Sequence, residues 1–172
     1  MIKTGIENRD QWLPLLQGKR VGLVTNPTGV DSMLNSTIDI LREQADLVRL
    51  YSPEHGVRGD IQAGVAVDRY TDERSGLPVI SLYGKNKKPS EEILRDIDIL
   101  AIDIQDVGSR LYTYLYTMAY CMQSCALYKK TVLVFDRPNP LGGITVEGNL
   151  IREGFTSFVG LYPIPYRYAL TI

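Results

Sequence analysis

The residues best equipped for chemistry follow short apolar runs. After Arg20–Thr25 come Asn26, Pro27, Thr28 and Gly29. After Asp46–Tyr51 come Ser52, Pro53, Glu54, His55 and Gly56, and His55 is the one histidine of the chain. After Asp98–Ile104 come Gln105, Asp106 and Arg110, with Asp103 inside the end of the run. After Thr131–Phe135 come Asp136, Arg137, Pro138, Asn139 and Pro140, and Glu147 lies further on. Carboxylates, amides, arginines and tyrosines gathered at one place suit glycoside hydrolysis. There one acid protonates the leaving oxygen, and a carboxylate attacks carbon or activates water. Other chemistries lack their signatures. There is no G-x-G-x-x-G after the first run and no G-x-x-x-x-G-K to cradle a nucleotide phosphate. No G-x-S-x-G elbow offers a serine nucleophile. One histidine and no cysteine cluster do not make a typical zinc site. The expectation is a site without metal or cofactor; an oxygen-ligated Mg²⁺ on Asp103 and Asp106, serving a phosphoryl hydrolase, is the weaker alternative.

The elements that must position these groups alternate. RVGLVT (20–25), DILAIDI (98–104) and TVLVF (131–135) are continuous apolar runs of the kind buried on both faces of a parallel sheet. DLVRLY (46–51) and PVISL (78–82) are weaker runs, and a sixth near 158–164 carries Pro163 and Pro165, which suit an edge or an exit. Between them the spacing predicts helices: a short one capped by Asn8 through Trp12, Leu15 and Leu16; one over 32–44 with Leu34, Ile38 and Leu41 on one face; and a short one from Ser90. A longer one after Gly108 carries Leu111, Leu115, Met118, Met122 and Cys125 as a single buried stripe. Strands alternating with helices imply right-handed crossovers and a Rossmann-like, doubly wound, mainly parallel α/β sheet with helices on both faces, in a single domain over 1–172. Such sheets bind ligands beyond the carboxyl ends of their strands, where the groups above fall. The stretch 54–77 shows no convincing regular element, and a loop of that length in a compact domain is commonly functional or mobile.

Each of these residues also has a structural use. Asp103 and Asp106 can cap the helix after Gly108 or pair with Arg110; Asp136 and Arg137 can pair with each other; the prolines can end strands; and a lone histidine often serves only as a hydrogen-bonding partner. Cys121 and Cys125 read as core residues, Cys125 on the helical stripe and Cys121 flanking it, in a C-x3-C spacing with no positive group nearby.

Composition narrows the class. The 172 residues are 44% hydrophobic and 23% charged, which suits an ordinary globular domain, and the net charge of −1 has no basic block to attract nucleic acid. No apolar run reaches the roughly 18 residues of a membrane span, and the first residues lack a secretory leader, so the expectation is a cytoplasmic protein, or a secreted one if its start was processed. Tyrosine occurs eleven times against three phenylalanines, which suits half-wet surfaces and polar clefts.

Five segments together resemble a known family: LVTNPTGV (23–30), SPEHGVRGD (52–60), GLPVISLYG (76–84), DIQDVGSRLYTYLYTM (103–118) and DRPNPLGGITVEG (136–148). In this order they are similar to the NamZ-type exo-β-N-acetylmuramidases, glycoside hydrolase family 171, and FVGLYPIPYRYALTI (158–172) is similar to the family's continuing segment. The resemblance implies a Rossmann-like amino-terminal domain carrying most of the active site, followed by a smaller carboxyl-terminal domain that this chain lacks. It implies release of terminal N-acetylmuramic acid from the non-reducing ends of peptidoglycan fragments, with a missing wall that can leave this piece inactive. A non-catalytic sugar-binding or assembly domain is the alternative, and self-association through the face left by the missing domain is a further expectation. Within that frame Glu54 is the expected proton donor, beside His55, and Asp103 the second carboxylate, followed by Asp106 and then Glu147. Arg110 and Arg137 are expected on the lactyl carboxylate of muramic acid, and Asn26, Gln105 and Asn139 on hydroxyls and the acetamido group. Asp136 joins this set, and Tyr112 and Tyr114 form a sugar platform. The substrate's own acetamido group is the alternative nucleophile.

Overall fold

A computed structural model describes residues 2–59 and 68–172. Its centre is a six-stranded sheet built from β1 (Arg20–Thr25), β2 (Asp46–Ser52), β3 (Arg69–Thr71), β4 (Pro78–Ser81), β5 (Ile99–Asp103) and β6 (Thr131–Val134), in the spatial order β3-β4-β2-β1-β5-β6. All neighbours run parallel except β3, which pairs antiparallel with β4 at one edge. The parallel strands therefore run outward from β1 in both directions. The strand order reverses between β1 and β5, where Thr25 stands opposite Asp103. A crevice opens at such a point because the connections on its two sides leave toward opposite faces of the sheet.

Side chains alternate across the pleat, so each strand feeds two cores. On one face Val21, Leu23, Leu50, Val79, Ile99 and Ala101 pack with Trp12 and Leu16 of α1 (Arg9–Leu16) and with Ile38 and Leu41 of α2 (Thr37–Gln44). On the other, Val24, Tyr51, Ile80, Leu100 and Ile102 pack with Ile93 and Leu94 of α3 (Glu91–Leu94) and with Cys121 and Cys125 of α4 (Tyr114–Leu127). This is the doubly wound α/β arrangement with helices on both faces, and both cysteines are free and buried in it. Gly22 is required by packing: a Cβ there would lie 2.6 Å from the Tyr51 ring. None of the helices among the described residues is long and apolar enough to cross a membrane.

Three expected elements differ. The helix expected from Ser32 begins at Thr37, capped by the Ser36 hydroxyl. Asp31 accepts from the backbone N–H groups of Met33 (2.9 Å) and Asn35 (2.8 Å), which bends residues 31–35 away from helix. Leu34 is thereby left with a φ of 64° and 79% exposed rather than facing the core. The helix after Gly108 begins at Tyr114, because Arg110 is first tied to the Tyr166 carbonyl through its backbone N–H and to the Tyr116 hydroxyl through its own carbonyl. The helix then buries Thr117, Cys121, Ser124 and Cys125, while Leu111 and Met122 stay about half exposed, so the apolar stripe is turned from the expected one. The segment 158–164 is not a strand; 136–172 crosses the carboxyl end of the sheet as irregular chain with isolated bridges such as Glu147–Arg167. Within the span expected to lack regular structure, β3 forms the sheet edge, and residues 60–67 lie outside the described residues.

Candidate active site

The turn after β2 carries the carboxylate that faces open space. The Gly56 N–H donates to the Pro53 carbonyl at 3.4 Å, which sets Glu54 and His55 at the tip. His55 is held at a φ of 75°, a left-handed conformation that costs a residue with a side chain roughly 1–2 kcal/mol, and Gly56 follows at 79°. Strain of this kind persists only where the surroundings fix it. Pro53 is buried, Glu54 half-buried and His55 exposed. The opening beside them measures about 270 Å³ and is lined by Glu54, His55, Leu111, Tyr112, Thr113 and Tyr114. That is near the lower end of ligand clefts, roughly 300 Å³. The Tyr112 and Tyr114 rings meet edge to face, 6.4 Å between centroids. Two tyrosines answer to Glu54. Its charge and a hydrogen bond to it push the Tyr83 phenol above its ordinary value. Tyr114 is raised chiefly by burial and also by the Glu54 charge, while a hydrogen bond to the Asn26 side chain pulls the other way.

A second set of polar groups lies beneath, at the reversal point of the sheet. Asp103 is 0% exposed and Arg137 is 7% exposed. Arg137 Nε donates to Asp103 Oδ1 at 2.5 Å and its Nη2 to Oδ2 at 3.0 Å, while the Thr37 hydroxyl donates to the same carboxylate. Burial pushes the Asp103 carboxyl up, and its three donors oppose that shift. Arg137 Nη2 also donates to the Val30 carbonyl at 2.7 Å, and the Thr25 hydroxyl to the Asp103 carbonyl at 2.9 Å. One ion pair thus joins the ends of β1, β5 and β6 to the start of α2. A larger hollow of about 680 Å³ lies along the outer side of α2, where Arg9, Arg42 and Arg74 alternate with Asp39 and Glu43; it shares no lining residue with the Glu54 opening.

Residues 21–172 match the family model described as exo-β-N-acetylmuramidase NamZ, N-terminal. The chain belongs to this NamZ family. It is 52% identical over 174 residues to the peptidoglycan β-N-acetylmuramidase NamZ of Bacillus subtilis (strain 168), covering 99% of the chain and 42% of that protein. Two crystal structures of DUF1343 family proteins from Bacteroides fragilis NCTC 9343 share the fold. One has a TM-score of 0.89 at 53% identity over 98% of the chain, and the other 0.85 at 38% identity over 98%. They are covered to 43% and 44% of their lengths, so the chain spans less than half of the relatives it matches.

Within this NamZ domain the structure brings Glu54, His55, Tyr112 and Tyr114 to one opening, while Asn26 is not among the lining residues and its Oδ1 accepts from the Thr28 N–H and hydroxyl. The other residues expected on the sugar are tied mainly to protein groups. Asp103 and Arg137 hold each other. Asp106 is buried and accepts from the Gly108 N–H (2.8 Å) and from the Tyr168 hydroxyl, leaving Oδ1 without a protein partner. Arg110 donates through Nη1 to the carbonyls of Asn149 (2.5 Å) and Ile164 (2.9 Å). Gln105 donates to the carbonyls of Asp106 and Pro138, and Asn139 to those of Tyr168 and Leu170. Asp136 accepts from the Arg137 N–H beside a shallow hollow on the amino-terminal side of the chain, and Glu147 forms an exposed pair with Arg167 at 2.8 Å. Asp106, Arg110, Gln105 and Asn139 therefore pin the irregular segment 136–172 across the sheet edge. Tyr83 and Lys87 were not anticipated. Tyr83 closely follows the end of β4, so the rule that selected the ends of the other parallel strands would have found it. The Lys87 ammonium lies 5.9 Å from the Tyr83 ring centroid and 4.1 Å from that of Phe158, a contact no local spacing reveals.

Proposed function

We propose that this domain forms the catalytic crevice of an exo-β-N-acetylmuramidase that releases terminal N-acetylmuramic acid from the non-reducing ends of peptidoglycan fragments. Glu54 is the proton donor. The observation that carries this is its position: among the described residues Glu54 is the sole carboxylate lining the opening, on a strained turn at a strand's carboxyl end. Family membership and the name carried by the Bacillus relative support the substrate class.

In this reading the muramyl ring stacks on the Tyr112 and Tyr114 faces, which offer apolar area beside hydroxyls. Glu54 passes its proton to the glycosidic oxygen as the bond from that oxygen to the anomeric carbon breaks. Attack on the anomeric carbon falls to water or to the acetamido oxygen of the substrate, because Asp103, Asp106 and Glu147 are each engaged elsewhere. His55, on the same rim, accepts the proton that the attacking water releases.

The test is hydrolysis of para-nitrophenyl β-N-acetylmuraminide by the wild-type protein and by Glu54→Gln. Turnover in the first and its loss in the second is the expected result, and turnover retained in the variant contradicts the assignment. The lone carboxylate of the opening also favours a second reading, a muramyl-sugar-binding domain. Binding of N-acetylmuramic acid without any turnover would select it.

A further inference from the structure

Muramic acid differs from glucosamine by one anionic group, the lactyl carboxylate on O3. A muramyl-specific crevice therefore needs a cation, and the sequence offered Arg110 and Arg137. Both are buried. Arg137 is buried against Asp103, and the Arg110 guanidinium is bound to two backbone carbonyls beneath the segment 136–172. Arg58, just past the Glu54 turn, is paired with Asp72 at 3.0 Å.

We propose that Lys87 is the residue that reads the lactyl carboxylate and so sets the preference for muramic acid over glucosamine. The inference rests on the muramidase reading of the Glu54 opening. Three observations support it. Lys87 has no carboxylate partner among the described residues; its recorded contacts are two aromatic rings. One of those rings is Tyr83, which stands two residues past Ser81 as Glu54 stands two residues past its register partner Ser52, and the Glu54 charge raises the Tyr83 phenol. The other ring, Phe158, is itself fixed by stacking on Tyr120 of α4, 6.1 Å between centroids and 4° between planes.

This setting suits the task. A lysine side chain is flexible, and ordering it costs entropy each time it binds a ligand. The cation–π contacts hold the ammonium in place beforehand without neutralising it, as a carboxylate partner would. The Phe158 contact ties the loop after β4 to the segment 136–172, so the ammonium is held by rings from two parts of the chain.

The experiment is a calorimetric titration of the protein with N-acetylmuramic acid and, separately, with N-acetylglucosamine. It uses wild type, Lys87→Met and Lys87→Arg. Methionine keeps the unbranched stem between the rings and removes only the charge. Lys87→Met is expected to weaken N-acetylmuramic acid about tenfold, the loss of one partly exposed charge-assisted contact, and to leave N-acetylglucosamine unchanged; Lys87→Arg restores part of the preference. A wild-type preference for muramic acid that survives in Lys87→Met overturns the role of Lys87 alone. Equal weakening for both sugars also overturns it, since Lys87 would then only brace Tyr83. Wild-type protein that binds neither sugar overturns the muramidase reading and the Lys87 assignment with it.

Discussion

Replacing Asp103 by asparagine separates a structural role from a catalytic one. Asp103 is wholly buried, Arg137 nearly so, and the pair is held by two guanidinium bonds of 2.5 and 3.0 Å plus the Thr37 hydroxyl. The substitution is nearly isosteric, so cavity formation contributes little. What it leaves is a buried guanidinium without its counter-charge, and breaking such a pair costs about 3–5 kcal/mol. In a chain of this length each kcal/mol lowers the melting temperature by about 2–4 °C, so Asp103→Asn should melt roughly 6–20 °C below wild type. Arg137→Met should cost a similar amount, because it leaves the carboxylate alone. The double replacement Asp103→Leu with Arg137→Met should be less destabilised than the sum of the two, and a replacement of this kind is near neutral where packing permits. Urea unfolding followed by circular dichroism measures all of these, with unchanged slopes showing that the unfolded state is not what moved. A loss below about 1 kcal/mol in Asp103→Asn would refute the reasoning. An unchanged melting temperature together with lost turnover would return Asp103 to the catalytic machinery.

Two further outcomes follow from the ionisable groups. Hydrogen bonds from Arg58 hold the Asp72 carboxyl at about 2, below its ordinary value near 3.8. Between those values the folded state binds fewer protons than the unfolded one, so Asp72 contributes stability above pH about 4 and loses it as pH falls toward 2; the contribution is on the order of 1–2 kcal/mol. Asp72→Asn should flatten the acid limb of a stability-against-pH curve by that amount, and an unchanged limb would show that the Arg58 pair contributes nothing. Burial pushes both thiols up, Cys125 to about 11 and Cys121 further, so neither is a thiolate near neutrality. A thiol reagent at pH 8 should label both cysteines in urea and neither in the native state; rapid native labelling would mean that α4 opens from the sheet.

The parts of this fold legible in the sequence are those fixed by local pattern. β1 and β5 are continuous apolar runs because both faces of each strand are covered, and that pattern survives without knowledge of neighbours; β6 carries the same pattern but, at the sheet edge, keeps Val132, Leu133 and Val134 only half-buried. The same logic pointed to the ends of the strands, and an opening lined by Glu54 and His55 stands just past the end of β2. Local pattern failed where a long-range bond decides. Leu34 obeys helical spacing, yet the Asp31 carboxylate captures two backbone N–H groups first. Leu111 and Met122 obey it too, yet Arg110 is drawn to residue 166 and the helix starts late and turned. Arg137 and Asp103 lie 34 residues apart, and no spacing rule pairs them, so both read as free ligands for a sugar. A still longer separation in sequence hid Phe158 from Lys87.

The proposed role of Glu54 as proton donor to the muramyl bond is tested most directly by release of para-nitrophenol from the β-N-acetylmuraminide, measured side by side for wild type and Glu54→Gln with matched melting curves. Turnover is expected in the wild type, with a fall of about 10²–10⁴-fold in the variant and melting temperatures that agree, since Glu54 is half-buried on an open turn. A variant that folds and turns over at near wild-type rate would contradict it.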